Sequence, residues 1–404
     1  MRDNEDLGEV KRSRWIVTSL FLSIFSTYPN SVVSILLLVE IGLTFDQPVG
    51  VMAQMRTLGS LVGFFSAIAM VALSVRFKAK ALLLAGLSFL GISSLGSGLA
   101  PNVESLTVFY AITGIGISLV EPMVRTLVAY YYPISKRSMV IGWMGAGGSL
   151  TFIMGGFTVG YIGLKWGWRA AFLGYAMVLP LIGLVLAFRG IPSQNVVSQI
   201  KDANLMSGFS AITSNRSALA CLVGNLLASA MSQGIYLFSL SYLKEVLLLS
   251  PGLASTIFSI SSGFFFIGSL ANGWIAERLG RKRATISSIL VFTFFTVLYP
   301  ILPGVWWTVA SVMLAHLFAA IQYSTSASLS LEQLPGARGS MMSMHTASSC
   351  LGYALGTSVG GLVLIYYGWD PLGAVLGGLG IIATAVYIFL SEGPDDARSI
   401  IVSV

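Results

Sequence analysis

Charge is what this sequence has least of. Only 10% of its 404 residues are Asp, Glu, Lys or Arg, against about 25% in a soluble domain. So few charges cannot clothe a water-facing surface, which excludes a string of soluble domains. Cysteine is scarce too. Cys221 and Cys350 both lie inside apolar runs and show no metal-ligand spacing. A disulfide framework and a zinc site are excluded, and both thiols read as packing residues. His-Glu-x-x-His, a Gly-Lys-Ser/Thr phosphate loop and a dinucleotide fingerprint are all missing. The chain is therefore expected not to be an enzyme, to hold no cofactor and not to hydrolyse ATP.

Apolar length is what the sequence has in abundance. Hydrophobic residues make up 55%, and the mean hydropathy is +0.83. Runs of spanning length recur between short polar breaks, at 15–38, 49–75, 80–100, 105–131, 138–163 and 171–189, then at 217–243, 252–275, 284–302, 306–330, 340–366 and 371–390. Each is long enough for a membrane helix and too long for a barrel strand of about ten residues. The run from Trp15 to Val39 is too long for a signal-peptide core and reads as a retained first helix. The expected fold is an all-α integral membrane protein of about twelve transmembrane helices. Its parts are a segment 1–14, a six-helix bundle 15–189, a polar loop 190–216, a second bundle 217–390 and a tail 391–404.

Placement of the charges gives an orientation. The net charge is +7 and the pI about 9.4. With the N-terminus inside, the inner segments hold the Lys and Arg clusters at 11–14, 76–80, 136–137 and 278–283. Outer loops hold only Lys165, Arg169 and Lys244. That bias predicts both termini in the cytoplasm and a place in the plasma (inner) membrane. It accounts for the basic balance without a nucleic-acid partner.

The sequence also repeats. Pro335 follows Pro133 by 202 residues, and the Gly368-Trp369 pair follows Gly167-Trp168 by 201. Each proline opens the fifth helix of its half, and each Gly-Trp closes it. Two pseudo-symmetric six-helix halves follow, an arrangement of transporters whose substrate site lies at the interface of the repeats.

Between the eighth and ninth spans the chain reads Gly273-Trp-Ile-Ala-Glu277-Arg278-Leu-Gly280-Arg281-Lys282-Arg283. Gly280 permits a tight turn, Gly273 lets a second helix approach closely, Glu277 is an acid at the membrane boundary, and the bases hold the loop inside. This loop resembles the signature loop of the major facilitator superfamily. Gly167-Trp-Arg-Ala-Ala-Phe172, Pro133 to Arg137 and Pro122 extend the resemblance along the chain. The first-half copy, Val75-Arg-Phe-Lys-Ala-Lys80, keeps the bases and has lost the acid and the glycine. The resemblance implies that fold and a secondary transporter with gating residues Gly273, Glu277, Arg278, Gly280, Arg281 and Lys282. It also implies a cavity lined by helices one, four, seven and ten. Many proton-coupled exporters of the family carry an arginine where Tyr110 stands and a Gly-Pro pair in the fifth helix. Here that helix has Gly155-Gly156, which departs from the usual drug/proton antiporter.

Those four helices carry polar faces at three- and four-residue spacing. They include Asn30 on the first, Tyr110, Glu121 and Arg125 on the fourth, Asn225, Ser232 and Tyr236 on the seventh, and His316 and Tyr323 on the tenth. Tyr28-Pro29 loosens the backbone of the first. Arg56 lies in the second. Ionisable groups in a span mark function by default. Bland readings stand beside this one. Glu121 and Arg125 can pair within their helix, Arg56 and Arg125 can snorkel, and the serines and histidines can serve packing. The expected activity is alternating-access transport of a small solute by a monomer in the bilayer, powered by the proton gradient, with Glu121 proton-linked. Efflux is the first reading and proton-coupled uptake of an organic anion the second. A non-transporting sensor and an intramembrane enzyme are the readings from other classes.

Overall fold

The computed structural model describes residues 15–132, 134–192, 212–334 and 338–393, and every regular element among them is helical. The segment 1–14, most of the loop 190–216 and the tail from 394 lie outside the described residues. We number the helices α1 (15–25), α2 (Pro29–Leu36), α3 (Leu38–Phe45), α4 (Val49–Arg76), α5 (Ala79–Leu99), α6 (Val103–Tyr131), α7 (Ile134–Ala171), α8 (Val178–Gly190), α9 (Arg216–Glu245), α10 (Pro251–Leu279), α11 (Arg281–Leu298), α12 (Val305–Gln333), α13 (Arg338–Tyr367) and α14 (Leu372–Leu390).

Local chemistry sets the ends. Asn102 caps α6 in a capping box with Ser105, accepting from its N–H at 2.9 Å. Asn215 caps α9 without the returning bond, accepting from Ala218 N–H at 2.9 Å. Pro251 occupies the first turn of α10, where its missing N–H costs nothing. Gly280 takes φ 77° between α10 and α11, so the tight turn expected there is present.

Ten helical stretches among the described residues are long and apolar enough to cross a membrane. One of them, Gly142–Gly190, is 49 residues long, about twice what a bilayer needs. Gly167, at φ 81°, divides it into two crossings, and a π-helical turn at Phe172–Ala176 follows the break. α11 is not among the ten because Arg281, Lys282 and Arg283 open its 18 residues. With both included, the expectation of about twelve crossings stands.

The first crossing is not one straight rod. α1 ends before residue 26, Tyr28 is the residue that caps α2, and Pro29 sits in the first turn of α2. A proline in an otherwise helical run removes one hydrogen bond and clashes with the preceding turn. α3 continues to Phe45, past the expected end at 38, and carries Glu40 in its first turn.

The chain divides into two compact units, one of residues 1–45 and 61–202, the other of 46–60 and 203–404, so the division falls inside α4. In the first unit α5 lies along α6. Leu83, Leu87 and Leu90 meet Val120, Val124 and Val128 in one buried cluster, and Ser93 Oγ lies 2.7 Å from Thr113 Oγ1. In the second unit Phe292, Tyr299, Ala315, Ala319 and Tyr387 form the corresponding core. Lipid is as apolar as leucine, so helices here are held by close packing and hydrogen bonds. Gly352-Tyr-Ala-Leu-Gly356 on α13 shows this. A Cβ at Gly356 would stand 2.0 Å from the Ala230 carbonyl oxygen of α9.

Candidate functional site

Each unit carries its own cluster of the polar residues singled out from the sequence. In the first unit the cluster forms at the break in the first crossing. The Tyr28 hydroxyl donates to Glu121 Oε1. Glu121 Oε2 lies 3.6 Å from Arg125 Nη2; the Arg125 side chain is 45% exposed and that of Glu121 18%. The Tyr28 ring leans on Phe152, centroids 5.5 Å apart. The helical pair that spacing allows is therefore present, and a partner from another helix joins it. The carboxylate has one neutral donor and one cation. Either contact can be exchanged while the other keeps the acid in place.

Asn30 lies deeper. It is 1% exposed, its Oδ1 accepts from Ser94 at 2.8 Å, and its Nδ2 donates to the Leu90 carbonyl at 3.3 Å. Ser19 and Ser26 donate to carbonyls of Leu186 and Leu179. Tyr110 meets Ser34 at 2.9 Å. The serine-rich face of the first crossing thus spends its polar groups on helix packing.

In the second unit the cluster centres on Arg56, which is 7% exposed. With its amide turned oxygen-first, Gln233 accepts from Arg56 Nε at 3.3 Å and from Nη2 at 2.6 Å. One residue on, Thr57 meets Thr357 of α13 at 2.8 Å. One turn along α9 from Gln233, Tyr236 packs edge-on against His316 of α12, centroids 4.1 Å apart, and against Phe265 of α10 at 5.8 Å. His316 Nδ1 bonds the Val312 carbonyl at 2.7 Å, which leaves Nε2 as the ring's second polar atom. Tyr323 is 38% exposed and faces the His345 ring at 6.4 Å. Ser232 is half-buried. Asn225 is fully buried, its Nδ2 within 2.7 Å of Ser348 Oγ and 2.8 Å of Ser349 Oγ on α13. Arg56 and Gln233 offer a cation and an amide, and one turn along α9 Tyr236 and His316 offer aromatic edges.

The signature loop is tied into its own unit. Arg281 pairs with Glu332 at the end of α12. Lys282 Nζ donates to the Ser391 carbonyl at 2.6 Å. Arg278 lies over the Trp274 ring at 4.1 Å. Glu277 is exposed and has no ion pair among the described residues. The close helix approach expected at Gly273 is not found: nothing lies within 4 Å of the place its Cβ would take. The small residue there faces open space, while the tight contacts of this unit fall on α13. Among the described residues no group of three His, Cys, Asp or Glu could hold a metal ion.

Two partners are not apparent from the sequence. Tyr28 reads there only as half of a Tyr-Pro break. Gln233 follows Ser229 by four and so lies on the α9 face, but the serines draw the stripe past it.

The profile of the Major Facilitator Superfamily matches residues 17–238 and again 222–401. The uncharacterized MFS-type transporter YwfA of Bacillus subtilis is 22% identical over 378 residues, covering 93% of this chain and 91% of that protein. The 4-hydroxybenzoate transporter PcaK of Pseudomonas aeruginosa is 30% identical over 131 residues, 32% of this chain and 29% of that one. Among solved structures, the nucleoside transporter NupG superposes with a TM-score of 0.74 at 15% identity, covering 93% of this chain and 98% of that chain.

Proposed function

This chain belongs to the Major Facilitator Superfamily, and from that premise we propose that it is a carrier, not an enzyme, that takes up a small aromatic carboxylate together with a proton. The observation that carries the reading is Arg56, a buried guanidinium held by Gln233 one turn from the Tyr236–His316 pair. A guanidinium matches a carboxylate with two parallel N–H donors. The ring edges beside it supply apolar contact and, at His316 Nε2, a polar atom for a ring substituent. The relative named for 4-hydroxybenzoate supports this chemistry over its matching third of the chain.

Energetics supports uptake over the efflux placed first by the sequence. An interior-negative potential already drives an anion outward, by about 2.3 kcal/mol per charge per 100 mV. Export needs no coupling, whereas accumulation inside does. Glu121, held by Tyr28 and Arg125, is the carboxyl proposed to bring the proton. The positive-inside bias supports cytoplasmic termini in the plasma membrane, and the Glu277 loop faces the same side as its gate.

Proteoliposomes with an inward proton gradient and labelled 4-hydroxybenzoate test the reading. The wild-type chain should accumulate label above a gradient-free control. Arg56→Gln should raise KM about tenfold or more, the effect of losing a hydrogen bond to a charged group. No gradient-dependent accumulation of any aromatic carboxylate, or an unchanged KM in R56Q, would refute it.

A further inference from the structure

A cavity in the second unit lies away from the Arg56 cluster, where α9 begins and α14 ends. Its volume is about 330 Å³, and its walls are Thr213, Ser214, Arg216, Leu219, Ala220, Val223, Val386 and Leu390. Polarity is graded along it. Thr213, Ser214 and Arg216 are exposed at the mouth. Leu219 and Val223 follow Arg216 by three and seven, so they lie on one face of α9 and carry the wall about 10 Å further. Val386 and Leu390 face them from α14. Leu219, Val223 and Leu390 are 38%, 46% and 37% exposed on helices that cross the membrane, so this wall is open to hydrocarbon. Beside Arg216, Ser217 Oγ accepts from Glu392 N–H at 2.8 Å, which ties α9 to the end of α14.

Arg216 has no ion pair among the described residues. It stands at the positive end of the α9 dipole and at the same basic end of the unit as Lys282, which reaches Ser391 beside Leu390. A lone guanidinium with two hydroxyls, under an apolar slot that faces lipid, is a receptor for a phosphate with a hydrocarbon tail. A soluble anion would leave the slot unfilled. Among the described residues no acid lines the cavity, and its one charged lining group is the Arg216 guanidinium, which selects an anionic headgroup.

We infer that the α9–α14 groove binds an anionic phospholipid of the surrounding leaflet, its phosphate on Arg216, Thr213 and Ser214 and an acyl chain along Leu219, Val223, Val386 and Leu390. The site is independent of the transported solute. Full-length protein in neutral detergent should be titrated with phosphatidylglycerol, phosphatidylethanolamine and inorganic phosphate, with unfolding temperature and native mass spectrometry as readouts. Phosphatidylglycerol should bind and stabilise the wild type, and phosphatidylethanolamine should do so far less. Arg216→Gln should weaken phosphatidylglycerol about fivefold, the effect of one basic side chain at an anionic surface. Val223→Trp, which fills the slot at a lipid-facing position, should abolish it without loss of folded protein. Equal binding of both lipids, or unchanged affinity in R216Q, overturns the inference. So does stabilisation by inorganic phosphate that persists in V223W, which would make this a site for a soluble anion.

Discussion

Lys282 stands 202 residues after Lys80, and the two ammonium groups do the same work in their separate units. Lys80 Nζ donates to the Phe188 carbonyl at 2.8 Å and to that of Ile191, at the end of α8. Lys282 Nζ donates to the Ser391 carbonyl at the end of α14. Each cation closes the last helix of its half, where unsatisfied carbonyls and the negative end of the dipole meet. The Gly-Trp pairs tell the same story. Trp168 Nε1 donates to Thr44 Oγ1 at 2.9 Å, and Trp369 stands beside the side chain of Glu245, which follows Thr44 by 201. The repeat is preserved in contacts as well as in letters.

Lys80→Met and Lys282→Met should each destabilise the purified protein by about 0.3–1 kcal/mol, the usual worth of a cation at a helix C-terminus. The two lie in different units and share no partner, so the losses should add. Thermal unfolding of the single and double variants measures this, and a double variant no weaker than either single would contradict it.

Gly356→Val should abolish folded protein, because its Cβ would stand 2.0 Å from the Ala230 carbonyl oxygen. Gly378→Ala is the control. Nothing lies within 4 Å of that Cβ, and alanine favours a helix over glycine by up to about 1 kcal/mol. Fluorescence-detected size-exclusion profiles of the two should differ sharply, with G378A matching the wild type.

Glu121→Gln should uncouple transport. Counterflow exchange of substrate should persist, while accumulation driven by a proton gradient is lost. Tyr28→Phe should lower gradient-driven turnover about tenfold with KM little changed, since a hydrogen bond to a charged group is lost while the Arg56 cluster is untouched. Retained accumulation in E121Q would remove Glu121 from the coupling step.

A double-mutant cycle on Arg281 and Glu332 should return a coupling of no more than about 1 kcal/mol. The pair is in direct contact, but its side chains are 44% and 26% exposed, and salt should reduce it further. A larger value would mark the pair as a conformational latch.

The number of crossings was legible because a bilayer imposes one length on every helix, and Gly280 announced its turn. Glu121 and Arg125 were legible as neighbours through their four-residue spacing. Distance in sequence hid the rest. Tyr28 and Glu121 are 93 residues apart, and helical periodicity says which face a residue takes without saying which helix it meets. Polarity left two readings open. The serines of the first crossing allow a cavity lining or helix packing, and a hydroxyl in a membrane helix can bind a neighbouring carbonyl, as Ser19 and Ser26 do. Gly273 misled, because a small residue permits close approach without requiring it.

The contact between Tyr28 and Glu121 gives a proton on that carboxyl a spectroscopic address. An ionised carboxylate can only accept from the phenol, whereas a protonated one can also donate to it, so loading the proton can reverse the direction of that bond. The exchange replaces a pair of carboxylate stretches with a carbonyl band and perturbs the phenol ring modes. Difference infrared spectra, with Tyr28→Phe as reference, would therefore report protonation of Glu121 without a transport assay.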